Sequence, residues 1–178
     1  MDKYQWNLNY LLKDDQEFEE KLEELKKLCE KIASYKGKLG DEQSFKEYYI
    51  LQLELENKLG PVYMYAHLGS DLNKKDMSKA AMLQKVMMMF NNFSIATAFE
   101  QPELIQVGKE KVMKFIDDNK EIEEYRFYME DLFRKQEHVL NYNEEEILST
   151  VNPALSKGRD LYSALSVADG KPQEIKID

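Results

Sequence analysis

The 178-residue chain is poor in the residues that punctuate or cross-link a fold: one cysteine, four prolines, seven glycines and two histidines. A single thiol, Cys29, excludes an internal disulfide framework and is compatible with a reducing compartment. Few prolines and glycines leave long stretches in which nothing interrupts a helix. No long apolar run occurs either. The richest, Val86-Met87-Met88-Met89-Phe90, is cut off by Asn91-Asn92, too short to span a bilayer. The start, Met1 to Trp6, is polar and lacks the apolar run of a signal peptide. A cytoplasmic location is expected.

Charge of one sign is also short. Twenty-five Lys and Arg face thirty-four Asp and Glu, a net of −9 spread along the chain. An acidic surface repels phosphate backbones, so nucleic acid is not an expected partner. No basic stripe lies opposite an apolar helix face, which argues against an anionic membrane. What is abundant is Leu, Glu, Lys and Met, residues that lose little rotamer freedom in a helix. The expected fold class is all-α.

Spacing places the helices. After an irregular apolar arm from Trp6 to Leu12, Asp14 with Glu17 reads as a capping box. Phe18, Leu22, Leu25, Cys29 and Ile32 then step along one face, and Gly37 and Gly40 stop the helix. Ser44 with Glu47 reads as the next cap, followed by Tyr48, Leu51, Leu55, Leu59, Val62 and Ala66. Pro61 lacks a backbone donor, so a kink or break is expected there. A third helix is expected from Asp76 to Phe99, with Ala80, Leu83, Met87, Phe90 and Ser94 on one side and burial on more than one face around Met87 to Phe90.

Pro102 should close that helix, with a short turn over Glu103–Val107. Helices over Lys109–Asp117 and Glu121–Lys135 follow, separated by Asp118-Asn119. Asn143 with Glu146 should cap a helix running toward Pro153, and a last one should cover Lys157–Val167. Roughly seven helical segments result. The end differs: after Asp169-Gly170, the alternation Ile175-Lys176-Ile177 looks like the start of a strand with nothing to pair with. Residues 1–170 therefore read as a helical lobe, and 171–178 as the start of a segment that continues.

The chemistry-bearing residues favour structural roles. A zinc-peptidase helix needs H-E-x-x-H, yet His67 is followed by Leu68-Gly69-Ser70-Asp71 and His138 by Val139-Leu140-Asn141-Tyr142. A di-metal carboxylate helix needs Glu three residues before His; Met64 and Lys135 stand there instead. Cys29 sits on an apolar stripe beside Glu30, unlike an activated thiol. Met87, Met88 and Met89 fall on three helix faces and form no single groove. Glu144-Glu145-Glu146 suits a helix N-terminus, and no Gly-rich phosphate loop exists. Tyr48, Tyr49, Tyr63 and Tyr65, and Tyr125, Phe127, Tyr128 and Phe133, read as packing between helices, a minority of them free to line a channel. No catalytic, cofactor-binding or metal-binding residue is assigned in this chain.

Several segments, in order, resemble the N-terminal region of oligoendopeptidase F, within the thimet-oligopeptidase-like zinc peptidases. Trp6-Asn7-Leu8 resembles its W-x-L opening, and Tyr35-Lys36-Gly37-Lys38-Leu39 its Y-x-G-K-L loop. Tyr65-Ala66-His67-Leu68 with Asp71 resembles its Y-A-x-L…D segment, and Phe99-Glu100-Gln101-Pro102-Glu103-Leu104 its F-x-x-P-E-L turn. Tyr125 to Met129, then His138-Val139-Leu140, then Glu145-Glu146 resembles its Y-x-x-x-L…H-x-L…E-E stretch, with Met129 in place of Leu. The resemblance implies a large helical enzyme with a deep channel for unstructured oligopeptides. It also implies zinc held by an H-E-x-x-H helix and a later Glu, in a part of the polypeptide beyond this one. On that reading the chain's partners are the remaining catalytic part and, in the intact enzyme, an oligopeptide. An isolated lobe should be inactive and should self-associate. The rival reading is a self-contained helical protein–protein interaction module.

Overall fold

In the computed structural model of this chain, residues 6–163 and 165–166 are described. Seven α-helices account for most of these, with three short 3-10 turns and, among the described residues, no strand. The all-α expectation holds. The strand-like Ile175-Lys176-Ile177 lies outside the described residues.

Helix α1 (Asp15–Ala33) starts where its cap predicts: the Asp14 carboxylate accepts the Glu17 N–H at 2.9 Å. The return bond is displaced by one residue, with Glu17 accepting from Lys13 N–H at 2.7 Å. Its predicted stripe is its buried face, Phe18, Leu22, Leu25, Cys29 and Ile32. Helix α2 (Glu42–Leu72) begins earlier than expected. Asp41 rather than Ser44 caps it, accepting from the Ser44 N–H at 2.9 Å. α2 also runs unbroken through Pro61, contrary to the expected break. The buried Val62, Tyr65 and Ala66 that follow hold the helix through tertiary packing, which overrides the lost backbone bond.

α3 (Met77–Ala96) is capped by Asp76, which accepts from Ser78 and Lys79 N–H. Its buried face is Met82, Val86 and Met89, not the predicted Ala80–Met87 side. Met87 and Met88 are about half exposed, whereas Met89 is buried and Leu83 and Phe90 are partly buried against the core. Pro102 does not end a helix. It sits in the first turn of α4 (Glu100–Val107), where a missing N–H costs nothing, so the predicted turn at Glu103–Val107 is helical.

α5 (Lys109–Asp118) is followed by a 3-10 stretch (Lys120–Tyr125) and α6 (Arg126–Arg134). α7 (Tyr142–Ser163) merges the two helices expected near the end, passing through Pro153. Its capping box lies two residues upstream of the predicted one. Asn141 Oδ1 accepts from Glu144 N–H, and Glu144 accepts from Asn141 N–H, at 3.1 and 3.0 Å.

α1, α2 and α3 pack on one another, and α7 lies against α3. α5 and the 3-10 stretch pack on α2 as well, while α4 and α6 pack on α5. The long α2 therefore runs along one continuous core, packing on α1 and α3 as well as on α5 and the 3-10 stretch. The opening arm contributes Leu12, which is buried, whereas Trp6 and Tyr10 are exposed.

Candidate functional site

The residues with catalytic precedent are scattered. His67 Nδ1 pairs with Asp71 at 3.1 Å, one helical turn away, and its ring rests on Tyr63. His138 sits in a 3-10 turn (Gln136–His138). Cys29 is buried, and that burial pushes its thiol up to about 11, far from a reactive thiolate at neutral pH. Among the described residues no three His, Cys, Asp or Glu side chains gather as a metal-ligating group. A zinc site does not fit the residues described.

Two glutamates on α4 do come together with other elements. The Glu103 carboxylate accepts the backbone N–H of Gly37 at 2.8 Å and of Leu39 at 2.7 Å. The loop can present both donors because Gly37 adopts φ +78°, which side-chain-bearing residues rarely do. Such loops form natural anion nests, and here the protein's own carboxylate fills the nest. Beside it lies a cleft of about 420 Å³ floored by Phe99, Pro102 and Val107, with Lys36 and Tyr142 at its edge. The Lys36 ammonium sits 3.8 Å from the centre of the Tyr142 ring, a cation–π contact. The cleft offers apolar surface and a polar edge but no paired nucleophile and base.

Glu100, one turn earlier, turns inward. The residue is half-buried, but its two carboxylate oxygens accept from the hydroxyls of Tyr48 and Tyr49, each at 2.7 Å. Both tyrosines are buried. Tyr128 of α6 lies close enough that the Glu100 charge adds to burial in raising its hydroxyl. Gln52 donates to the Tyr48 oxygen at 3.0 Å and Gln101 to the Tyr128 oxygen at 3.3 Å. Burial holds the Glu100 carboxyl above the usual glutamate range, with the hydroxyls pulling the other way. The tyrosine hydroxyls are pushed upward by burial and then by the neighbouring charge. The tyrosines were foreseen as interhelical packing; the carboxylate that gathers them was not.

The family described as Oligopeptidase F matches residues 103–171. Over 92% of its length the chain is 27% identical to Oligopeptidase PepF of Bacillus subtilis. Over 94% it is 27% identical to Group B oligopeptidase PepB of Streptococcus agalactiae. Over nearly its whole length the chain is thus similar to part of oligopeptidases of this type. It spans 25% and 28% of the lengths of these two curated relatives. A crystal structure of oligoendopeptidase-F from Enterococcus faecium shares the fold, with a TM-score of 0.79 over 91% of this chain and 32% of that one, at 24% identity.

Against the oligopeptidase F family, the fragments singled out in the sequence acquire a spatial meaning. The Tyr35–Leu39 loop and the Phe99–Leu104 turn are joined through Glu103. The Phe99–Leu104 turn and the Tyr125–Met129 segment are joined through Gln101 and Tyr128. Three separate motifs thus meet around one short helix, α4. Among the described residues no helix is long and apolar enough to cross a membrane.

Proposed function

We propose that this chain is the non-catalytic N-terminal lobe of an oligoendopeptidase F-like zinc metallopeptidase that hydrolyses oligopeptides. In the intact enzyme it forms part of the substrate-channel wall and restricts entry to flexible peptides. The observation carrying this reading is near-complete similarity of this chain to only about a quarter of each named peptidase. Residues 1–170 act as the lobe, and 171–178 begin the passage into the catalytic part, which holds the zinc. The enzyme works in the cytoplasm, its partners being the rest of its own polypeptide and an oligopeptide.

Two features support the channel-wall role. The cleft beside α4 has an apolar floor and a polar edge, suited to side chains and amides of an extended peptide. α7 exposes Ile147, Leu148, Val151 and Leu155, apolar surface that a larger body would cover. The test is direct. The isolated chain, incubated with zinc and a fluorogenic oligopeptide, should give no turnover and no stoichiometric metal uptake; clear turnover ends this reading. Gel filtration should show self-association, relieved by Leu155→Glu. A monomer that binds no hydrophobic dye would favour the rival, a self-contained interaction module.

A further inference from the structure

The Glu100 cluster has a composition unusual for a structural joint. Its carboxyl is directed among aromatic rings, and the groups that act on it are hydroxyls rather than a cation. A carboxylate removed from water without an opposite charge is expensive, while hydroxyl donors recover part of that cost. The two effects act in opposite directions, and burial is the larger.

The partners are arranged to accept that proton. In the charged state Tyr48 donates to Glu100 and receives from the Gln52 amide nitrogen. A protonated Glu100 would donate to the Tyr48 oxygen instead. Tyr48 would then turn its own hydrogen toward Gln52, whose amide turns over to offer its oxygen. Every polar atom stays paired, and only the direction of the chain reverses. Nearby, Gln101 donates to the Tyr128 hydroxyl at 3.3 Å. A carboxyl, a tyrosine and a terminal amide in series are what a reversible hydrogen-bond chain needs.

We propose that Glu100 is a proton-binding site: it takes up one proton from solvent, reverses a Tyr–Gln hydrogen-bond chain, and thereby tightens the joint between α2, α4 and α6. The groups facing it are Tyr48, Tyr49 and Gln52 of α2, Gln101 on its own helix, Tyr128 of α6, and Tyr125 from the 3-10 stretch. Tyr125 stacks on Tyr49 at 4.6 Å and donates at 3.4 Å toward Glu56 at the rim. Glu103, the next acid on α4, is turned away onto the Gly37–Leu39 loop. This device stands independently of the peptidase reading.

The experiment is a carbon-detected NMR titration of the 178-residue chain. The Glu100 carboxyl is assigned through its own backbone and followed while the amide spectrum stays folded. The expected midpoint lies above the ordinary glutamate value of about 4.3. Gln52→Met, which removes the acceptor for the reversed chain, should lower that midpoint. Thermal midpoints of the parent should fall as pH rises through the titration, and E100Q should flatten that dependence. A Glu100 that stays ionised down to about 4.3 or below overturns the proposal, even if E100Q does not fold. So does a raised midpoint that Gln52→Met does not move.

Discussion

The two ends of α2 meet different surroundings within one core. Its first turns place Phe45, Tyr48 and Tyr49 against Phe115, Phe99 and Tyr125, and the two tyrosine hydroxyls donate to one carboxylate, that of Glu100. Its later turns place Tyr65 against Phe18, and there the matching carboxylate, Asp15, stays at the surface with Lys79. Each site is a tyrosine hydroxyl on an acid, but burial differs, and the acids respond in opposite directions. Burial holds Glu100 above its ordinary value, so its contribution is present below the unfolded-state pKa and is lost as pH rises through the folded one. The Lys79 and Tyr65 bonds hold Asp15 below its ordinary value, so its contribution is present above the unfolded-state pKa and is lost as pH falls.

The largest effects test whether the two regions of the core are equally well filled. Phe45 and Phe18 are both fully buried. Phe45→Ala and Phe18→Ala should each cost about 3–5 kcal/mol in urea denaturation. A much smaller loss for Phe45 would mean that the joint collapses around its polar centre and is not packed to normal density.

Hydroxyl deletion should separate the sites. Tyr49→Phe strips a 2.7 Å donor from the Glu100 carboxyl and should cost about 1–3 kcal/mol at neutral pH. Tyr65→Phe removes a bond of the same length, but Asp15 keeps Lys79 and water, so the loss should stay below about 1 kcal/mol. Equal losses would show that burial, not bond length, has been given too much weight. Between these lies Glu103→Ala, expected to cost about 1–2 kcal/mol. It should also speed hydrogen exchange at Gly37 and Leu39, whose N–H groups it receives.

How far the sequence foretold these regions follows the range of the interactions. The α1 stripe from Phe18 to Ile32 and the Asp14 cap are local patterns, and both stand where spacing placed them. Asp41 and Asn141 were missed as caps because Ser44–Glu47 and Asn143–Glu146 offered the same signature nearby. Pro61 and Pro102 misled because a proline's effect depends on what packs around it and on its position within a helix. The Glu100 cluster joins residues some fifty positions apart in sequence, and no periodicity reports such a meeting. Its trace was indirect: a glutamate between Phe99 and Pro102 in a motif-like turn, and paired tyrosines on α2.

The smallest expected effect lies on the outer side of the comparison. Lys85 of α3 reaches Glu19 of α1 at 2.5 Å, and both side chains are about half exposed. The geometry is as short as many buried contacts, yet solvent screens both charges and each long side chain loses freedom to meet the other. Lys85→Ala should therefore change the free energy of unfolding by less than about 0.5 kcal/mol, with added salt erasing the difference. A loss approaching that of Tyr49→Phe, and surviving high salt, would mean that the α1–α3 contact depends on charge where its buried Met82, Val86 and Phe18 indicate apolar packing. The contrast between the two ends of α2 would then be one of degree only.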